Sequence, residues 1–254
     1  MEASFLAREI AKEMFNRLDW MKLNPQQVID LGCGVGIDAL ALAQRYPEAQ
    51  VGGIDLRETF LQYGKRKQEN RVAWVVADCH TLPLGSNAVD LIFANLLLPW
   101  IKNTAFLLRE WRRILRPQGL VFFSCLGPDT FQEWRTSKKA VLPHLMDMHN
   151  VGDALLEAGF IDPVLEVENL ILNYRSPEQG QWELKKSELW QEEEVRETPT
   201  TTQQAVFPVT FEVVYGHAWC PATKGFKADD HGVVRIPVSQ LGAIDNSTSP
   251  AKNR

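Results

Sequence analysis

Apolar and polar positions change period along this chain, and the changes mark out alternating elements. From Ser4 to Leu18, Phe5, Leu6, Ile10, Met14, Phe15 and Leu18 recur at helical spacing among Arg8, Glu9, Lys12, Glu13 and Arg17. That predicts an amphipathic helix ahead of the first strand, packed on a sheet, laid over a cleft as a lid, or both. Short apolar runs then predict strands at about 27–31, 50–55, 72–78, 89–95 and 120–124. Helical stretches fall between them at about 36–45, 57–69 and 102–115, the first stopped by Tyr46-Pro47 and the last by Pro117 and Gly119. A turn and short helix are expected at Gly127–Phe131, a helix at 149–158 closed by Gly159, and a strand from Val164 to Tyr174. Val209–Trp219 is the last strand, antiparallel to its neighbour. Strands alternating with helices imply the α/β class, here a doubly wound, mostly parallel seven-stranded sheet.

One stretch organises the rest. Val28-Ile29-Asp30-Leu31-Gly32-Cys33-Gly34-Val35-Gly36 is an apolar run that ends in an acid and breaks into alternating glycines, followed by helix formers. It reads as a strand, a tight turn and a helix N-terminus, where the backbone can approach a ligand and present N–H groups to it. Asp55 ends the second strand about twenty residues on, where nucleotide-binding folds place a carboxylate for ribose hydroxyls. Asp30, Asp55, Asp78 and Asn95 all fall at strand carboxyl ends, where such sheets bind ligands. The glycines do not follow the dinucleotide pattern, which needs Gly-x-Gly-x-x-Gly. The form present, Asp-Leu-Gly-Cys-Gly-x-Gly, resembles motif I of Rossmann-like class I S-adenosylmethionine (SAM) methyltransferases.

Composition narrows the class. The 254 residues suffice for one α/β domain, expected at 1–225 with a polar, partly helical insert at about 176–205, and a tail at 226–254 disordered at its end. A formal charge of -5 argues against nucleic acid as the main partner. Cys33, Cys79, Cys125 and Cys220 are scattered and suggest neither a metal site nor a disulfide framework, so a cytoplasmic, reducing setting is expected. The N-terminus reads as a charged amphipathic stretch rather than a signal peptide, and no apolar run is long enough for a membrane span.

In a SAM site, Asp30 with Gly32, Cys33, Gly34 and Gly36 would hold the methionine end. Asp55 with Leu56 would take the ribose, Asp78 with Cys79 would flank the adenine, and Asn95 would close the methionine side. Arg135, His144, His149, Arg175 and Tyr215 lie in segments after the fifth strand, where a substrate wall would be built; Arg135, His149 and Tyr215 are the positioning candidates. Arg109, Arg112, Arg113 and Arg116 are spaced to share one helix face, as a solvated surface or a dock for an acidic partner.

Several segments resemble one family. They are Phe93–Trp100, Arg113–Gly119, Phe123–Thr130 with its Gly-Pro-Asp-Thr, Asp147–Asp153, and Val213–Trp219 with its Gly-His-Ala-Trp. They are similar to the malonyl-acyl-carrier-protein carboxyl methyltransferases of biotin synthesis. The resemblance implies a methyltransferase that uses SAM to esterify the free carboxyl of malonyl-acyl-carrier protein, starting the pimeloyl chain. It implies the acidic carrier protein as partner, docked on the arginine face or on Lys138-Lys139. Motif I alone is compatible with a related class I enzyme acting on another acid or on a protein, or with a non-catalytic SAM-binding relative.

Overall fold

The computed structural model describes residues 5–67, 71–134, 140–141, 145–176, 178–179, 191–192 and 206–222. Most of the expected insert and all of the tail beyond Ala222 lie outside the described residues, as do Arg135, Lys138, Lys139 and His144. The elements run α1 (Phe5–Asp19), β1 (Gln27–Leu31), α2 (Ile37–Arg45), β2 (Gln50–Asp55), α3 (Glu58–Lys67), β3 (Val72–Val76), β4 (Val89–Ala94) and α4 (Thr104–Ile114). They continue through β5 (Leu115–Leu126), α5 (Met148–Glu157), β6 (Ile161–Tyr174) and β7 (Phe207–Trp219).

These strands form one seven-stranded sheet in the order β3-β2-β1-β4-β5-β7-β6. Pairings from β3 through β5 are parallel. β7 slots in antiparallel between β5 and β6, with Tyr215 opposite both Ser124 and Glu166. The expected class and the antiparallel last strand are both present. Strand order reverses between β1 and β4, so the loops after these two strands diverge and open a crevice at their carboxyl ends.

Strand alternation builds a core on each face. On β5, Phe122 packs with Leu6, Ile10 and Met14 of α1 and Leu42 of α2, while Phe123 packs with Trp111 of α4 and Leu155 of α5. Each side chain buried this completely contributes roughly 1.5–3 kcal/mol, so the two faces hold the sheet between helical layers.

One boundary differs from the sequence expectation. The fifth strand, expected at about 120–124 after a helix at about 102–115, instead begins at Leu115, directly where α4 ends at Ile114. Leu115 already pairs with Val89 of β4, and Arg116, which precedes proline, is biased towards extended backbone. Arg116 is therefore a strand residue and does not share a helix face with Arg109, Arg112 and Arg113.

Candidate cofactor and active site

The turn after β1 is shaped by backbone sign and by one tryptophan. Gly32, Gly34 and Gly36 all have positive φ, at 70°, 52° and 81°. Gly36 caps the N-terminus of α2, and a Cβ there would overlap the ring of Trp74 from β3. A Cβ on Gly34 would meet nothing within 4 Å, so that glycine faces open space. The turn is a cradle with a closed floor and an open side.

Asp55 holds the cradle in shape. Its Oδ2 accepts from Gly34 N–H at 2.9 Å and its Oδ1 from Arg57 N–H at 2.8 Å. It is nearly buried, whereas Leu56 next to it is 67% exposed at the edge of the crevice. Asp30 is only 1% exposed, and its Oδ2 has no hydrogen-bond partner. Burial raises its pKa well above the usual carboxylate range; neighbouring Asp38 and Asp55 add to the rise, and the Ala39 N–H partly offsets it.

Asp38, in the first turn of α2, was not among the sequence candidates. Protein atoms crowd it and push its pKa up to about 6, against a hydrogen bond from Asn95 that favours the ionised form. Asn95 joins three elements there. Its Nδ2 donates to Asp38 Oδ2 at 3.0 Å and to the Ala7 carbonyl of α1 at 2.9 Å, and its Oδ1 accepts from Ser124 Oγ of β5 at 2.9 Å. The expected lid helix is thus tied to the crevice through Asn95. An acid in the first helical turn straight after the glycines was the available signal for Asp38, but the same signal marks ordinary helix-dipole partners.

At the end of β3, Asp78 Oδ1 accepts from His80 N–H at 2.8 Å, and the His80 ring Nδ1 lies at the same distance. The backbone and ring hydrogen bonds of His80 hold the Asp78 carboxyl below its usual range. Cys79 is half-buried and burial pushes its thiol up to about 11. Asp78, Cys79 and His80 bring potential ligand atoms within 4.8 Å of one another, but the close Asp78–His80 contacts make the cluster a closed turn.

The substrate-side candidates do not converge. Tyr215 is buried beneath α1, with the Arg17 guanidinium 4.0 Å from its ring centroid. Arg17 in turn meets Glu13, Glu166 and Glu168. His149 lies in the first turn of α5 beside its cap Asp147, with its side chain 76% exposed. Arg175 is exposed and its N–H donates to Gln179. On the other face, Arg113 is held by Glu110 and the Leu84 and Leu82 carbonyls, Arg116 grips Asp90 with both contacts under 3 Å, and Arg112 donates to Gly159. Arg109 is exposed with no polar partner among the described residues.

The Gly127–Phe131 turn after β5 is fixed to β7. Gly127 N–H donates to the Glu212 carbonyl, Phe131 N–H to the Thr210 carbonyl, and Asp129 N–H to the Glu212 carboxylate. The short helix expected after it is a single 3-10 turn, Gln132–Trp134.

A doubly wound sheet with β7 inserted antiparallel, a glycine cradle after β1 and an acid ending β2 define a class I, SAM-dependent methyltransferase. The cradle's open side and the orphaned carboxylate oxygen behind it suit a cofactor with a cationic amino-acid end. A family profile described as "Methyltransferase domain" matches residues 29–123. The malonyl-[acyl-carrier protein] O-methyltransferase of Legionella pneumophila is 34% identical, over 92% of this chain and 90% of that protein. Its counterpart in Laribacter hongkongensis is 35% identical, over 91% and 88%. The chain belongs to the malonyl-[acyl-carrier protein] O-methyltransferase family. Among solved structures the YcgJ protein of Bacillus subtilis has a TM-score of 0.65 at 11% identity, covering 83% of this chain and 98% of that one. A Haemonchus contortus phosphoethanolamine N-methyltransferase 2 in complex with S-adenosyl-L-methionine has a TM-score of 0.56 at 21% identity, covering 83% and 52%. These two likenesses support the fold. No helix among the described residues is long and apolar enough to cross a membrane.

Proposed function

We propose that the protein methylates the free carboxylate of a malonyl group carried as a thioester on acyl-carrier protein. The observation that carries the reading is the match to relatives of that name across about nine-tenths of both chains. SAM supplies a methyl group made electrophilic by its sulfonium. The acceptor carboxylate is ionised at neutral pH and needs no general base, so the protein's part is alignment and exclusion of water. The glycine cradle in front of Asp30 takes the amino-acid end, Asp55 with Leu56 the ribose, Asp78 with Cys79 the adenine, and Asn95 closes the crevice against α1. Tyr215 acts through α1, as the surface on which Arg17 seats. Arg135, which follows the Gln132–Trp134 turn directly, is the candidate cation for the malonyl carboxylate.

Of the four arginines proposed as a dock for an acidic carrier protein, with Lys138-Lys139 as the alternative, Arg109 is the one we retain, together with the segment that leads into α4. Lys102 and Arg109 are exposed without polar partners among the described residues, beside Trp100 and Phe106, which are 39% and 46% exposed. Cations flanking exposed aromatics suit an acidic partner with an apolar patch. Mass spectrometry of malonyl carrier protein after incubation with enzyme and SAM tests the activity: one added methyl group is expected, with none on acetyl carrier protein. An unmodified malonyl substrate would overturn the reading. Lys102→Glu with Arg109→Glu should raise the KM for carrier protein and leave kcat unchanged; an unchanged KM removes the dock.

A further inference from the structure

Three carboxyls crowd the crevice, and only Asp55 has a cationic partner among the described residues, the Arg57 guanidinium at 3.7 Å. Asp30 from β1, Asp38 from α2 and Asp55 from β2 border the glycine turn, and no cation contributes to the shift of Asp30 or Asp38. Asp55 is occupied by two backbone N–H groups. Asp30 lies too deep to be touched, at 1% exposure. Asp38 is the member of the trio that keeps accessible surface and whose one protein hydrogen bond comes from a neutral amide. Beside it, the N–H groups of Val35, Ile37 and Asp38 have no acceptor among the described residues. A half-buried carboxyl that keeps some surface, next to free N–H groups at a helix N-terminus, complements a zwitterion: the ammonium meets the acid and the carboxylate meets the amides.

We propose that Asp38 is the ionic anchor for the α-ammonium of the cofactor's amino-acid end, with Asp30 as the buried carboxyl behind it. The inference rests on the cofactor placement given above. Binding then brings a fixed positive charge against a carboxyl that burial keeps partly protonated near pH 6. The bound state favours the ionised form, so binding expels a proton at low pH, and affinity rises with pH until Asp38 is ionised in both states. The groups facing Asp38 are Asp30 from β1, the Cys33 thiol from the turn, Asn95 after β4 and, through Asn95, the Ala7 carbonyl of α1. Asn95 and the carbonyl do not titrate in this range. Burial drives the Cys33 thiol far above it.

Calorimetry with two probes isolates the amino-acid end: S-adenosylhomocysteine, which carries the ammonium and its carboxylate, and methylthioadenosine, which keeps the adenosine and the thioether but lacks both charged groups; the α-carboxylate does not titrate between pH 5.5 and 8. Titrations from pH 5.5 to 8, each in buffers of different ionisation enthalpy, count the protons released. Wild-type protein should release up to one proton with S-adenosylhomocysteine below about pH 6.5, its affinity falling towards tenfold per pH unit below pH 6. Methylthioadenosine should show neither effect. Asp38→Asn should weaken S-adenosylhomocysteine at least about tenfold at pH 7.5, abolish the proton release and leave methylthioadenosine unchanged, with an unaltered thermal melt. Equal pH dependence for the two probes in wild type overturns the proposal without any variant, as does a Kd for S-adenosylhomocysteine within twofold of wild type in Asp38→Asn. Failure of wild type to bind S-adenosylhomocysteine at all is a separate result, which overturns the cofactor placement and this inference with it.

Discussion

Gly36→Ala measures how strongly the cofactor turn is locked. Gly36 has φ 81° and ψ 20°, a left-handed conformation that costs an L-residue about 1–2 kcal/mol. Its added methyl would also fall on the six-membered ring of Trp74, which is packed against Gly53 and Gly64 and has little room to retreat. Overpacking of this kind costs about 1–3 kcal/mol. The expected loss is therefore about 2–5 kcal/mol, read as a lower urea midpoint by far-UV circular dichroism. The two causes separate in a double-mutant cycle with Trp74→Leu. Trp74→Leu destabilises by leaving a cavity, but in the Gly36→Ala background that cavity receives the methyl. The pair should then fall short of additivity by about 1–3 kcal/mol, while the backbone part stays. Gly36→Ala within about 0.5 kcal/mol of wild type, a range typical of neutral surface changes, would refute the account of the turn, and strict additivity would refute the part assigned to Trp74.

Asp55→Ala should weaken S-adenosylhomocysteine by about 100-fold, the loss of two hydrogen bonds to an ionised acceptor at roughly 1.5 kcal/mol each; wild-type affinity by calorimetry would remove its ribose role. Asp90 is a pH-linked strut: partial burial opposes ionisation, but Arg116 and the N–H groups of Gln26 and Gln27 hold its carboxyl below the usual range. Its contribution is present above the unfolded carboxylate value near 3.9 and fades as pH falls through the lower folded value. Asp90→Asn should therefore destabilise at pH 7 and flatten the urea-midpoint profile below pH 4; parallel profiles would count against the linkage.

The fold was legible because its signals are local. Five apolar runs interrupted by helical periods suffice for a doubly wound sheet, and the glycines with Asp30 and Asp55 identify its ligand end. What escaped depended on where the chain returns. The tie from Asn95 to Ala7 and Ser124 joins positions separated by 88 and 29 residues, and no periodicity announces it. Arg116 looked helical because its spacing from Arg109 and Arg112 is helical, yet pairing of Leu115 with Val89 overrides that spacing. His149 looked like a candidate for chemistry, but it lies beside Asp147 as part of a helix cap. Asp38 escaped for the opposite reason, since first-turn acids are common and only the neighbouring Asp30 and Asn95 make this one unusual.

The insertion of β7 between β5 and β6 sets an order of events for a chain leaving the ribosome. Among the described residues β6 pairs with no strand other than β7, and the two run together from Ile161 opposite Trp219 to Tyr174 opposite Phe207. Until residues 207–219 emerge, β5 presents an open edge and the fourteen residues of β6 lack a ladder partner. Synthesis at about 5–20 residues per second leaves this interval open for seconds, and bare edges are where nascent chains pair with the wrong neighbour. A premature stop before residue 207 would therefore give a product that is prone to aggregate, even though its glycine turn is complete.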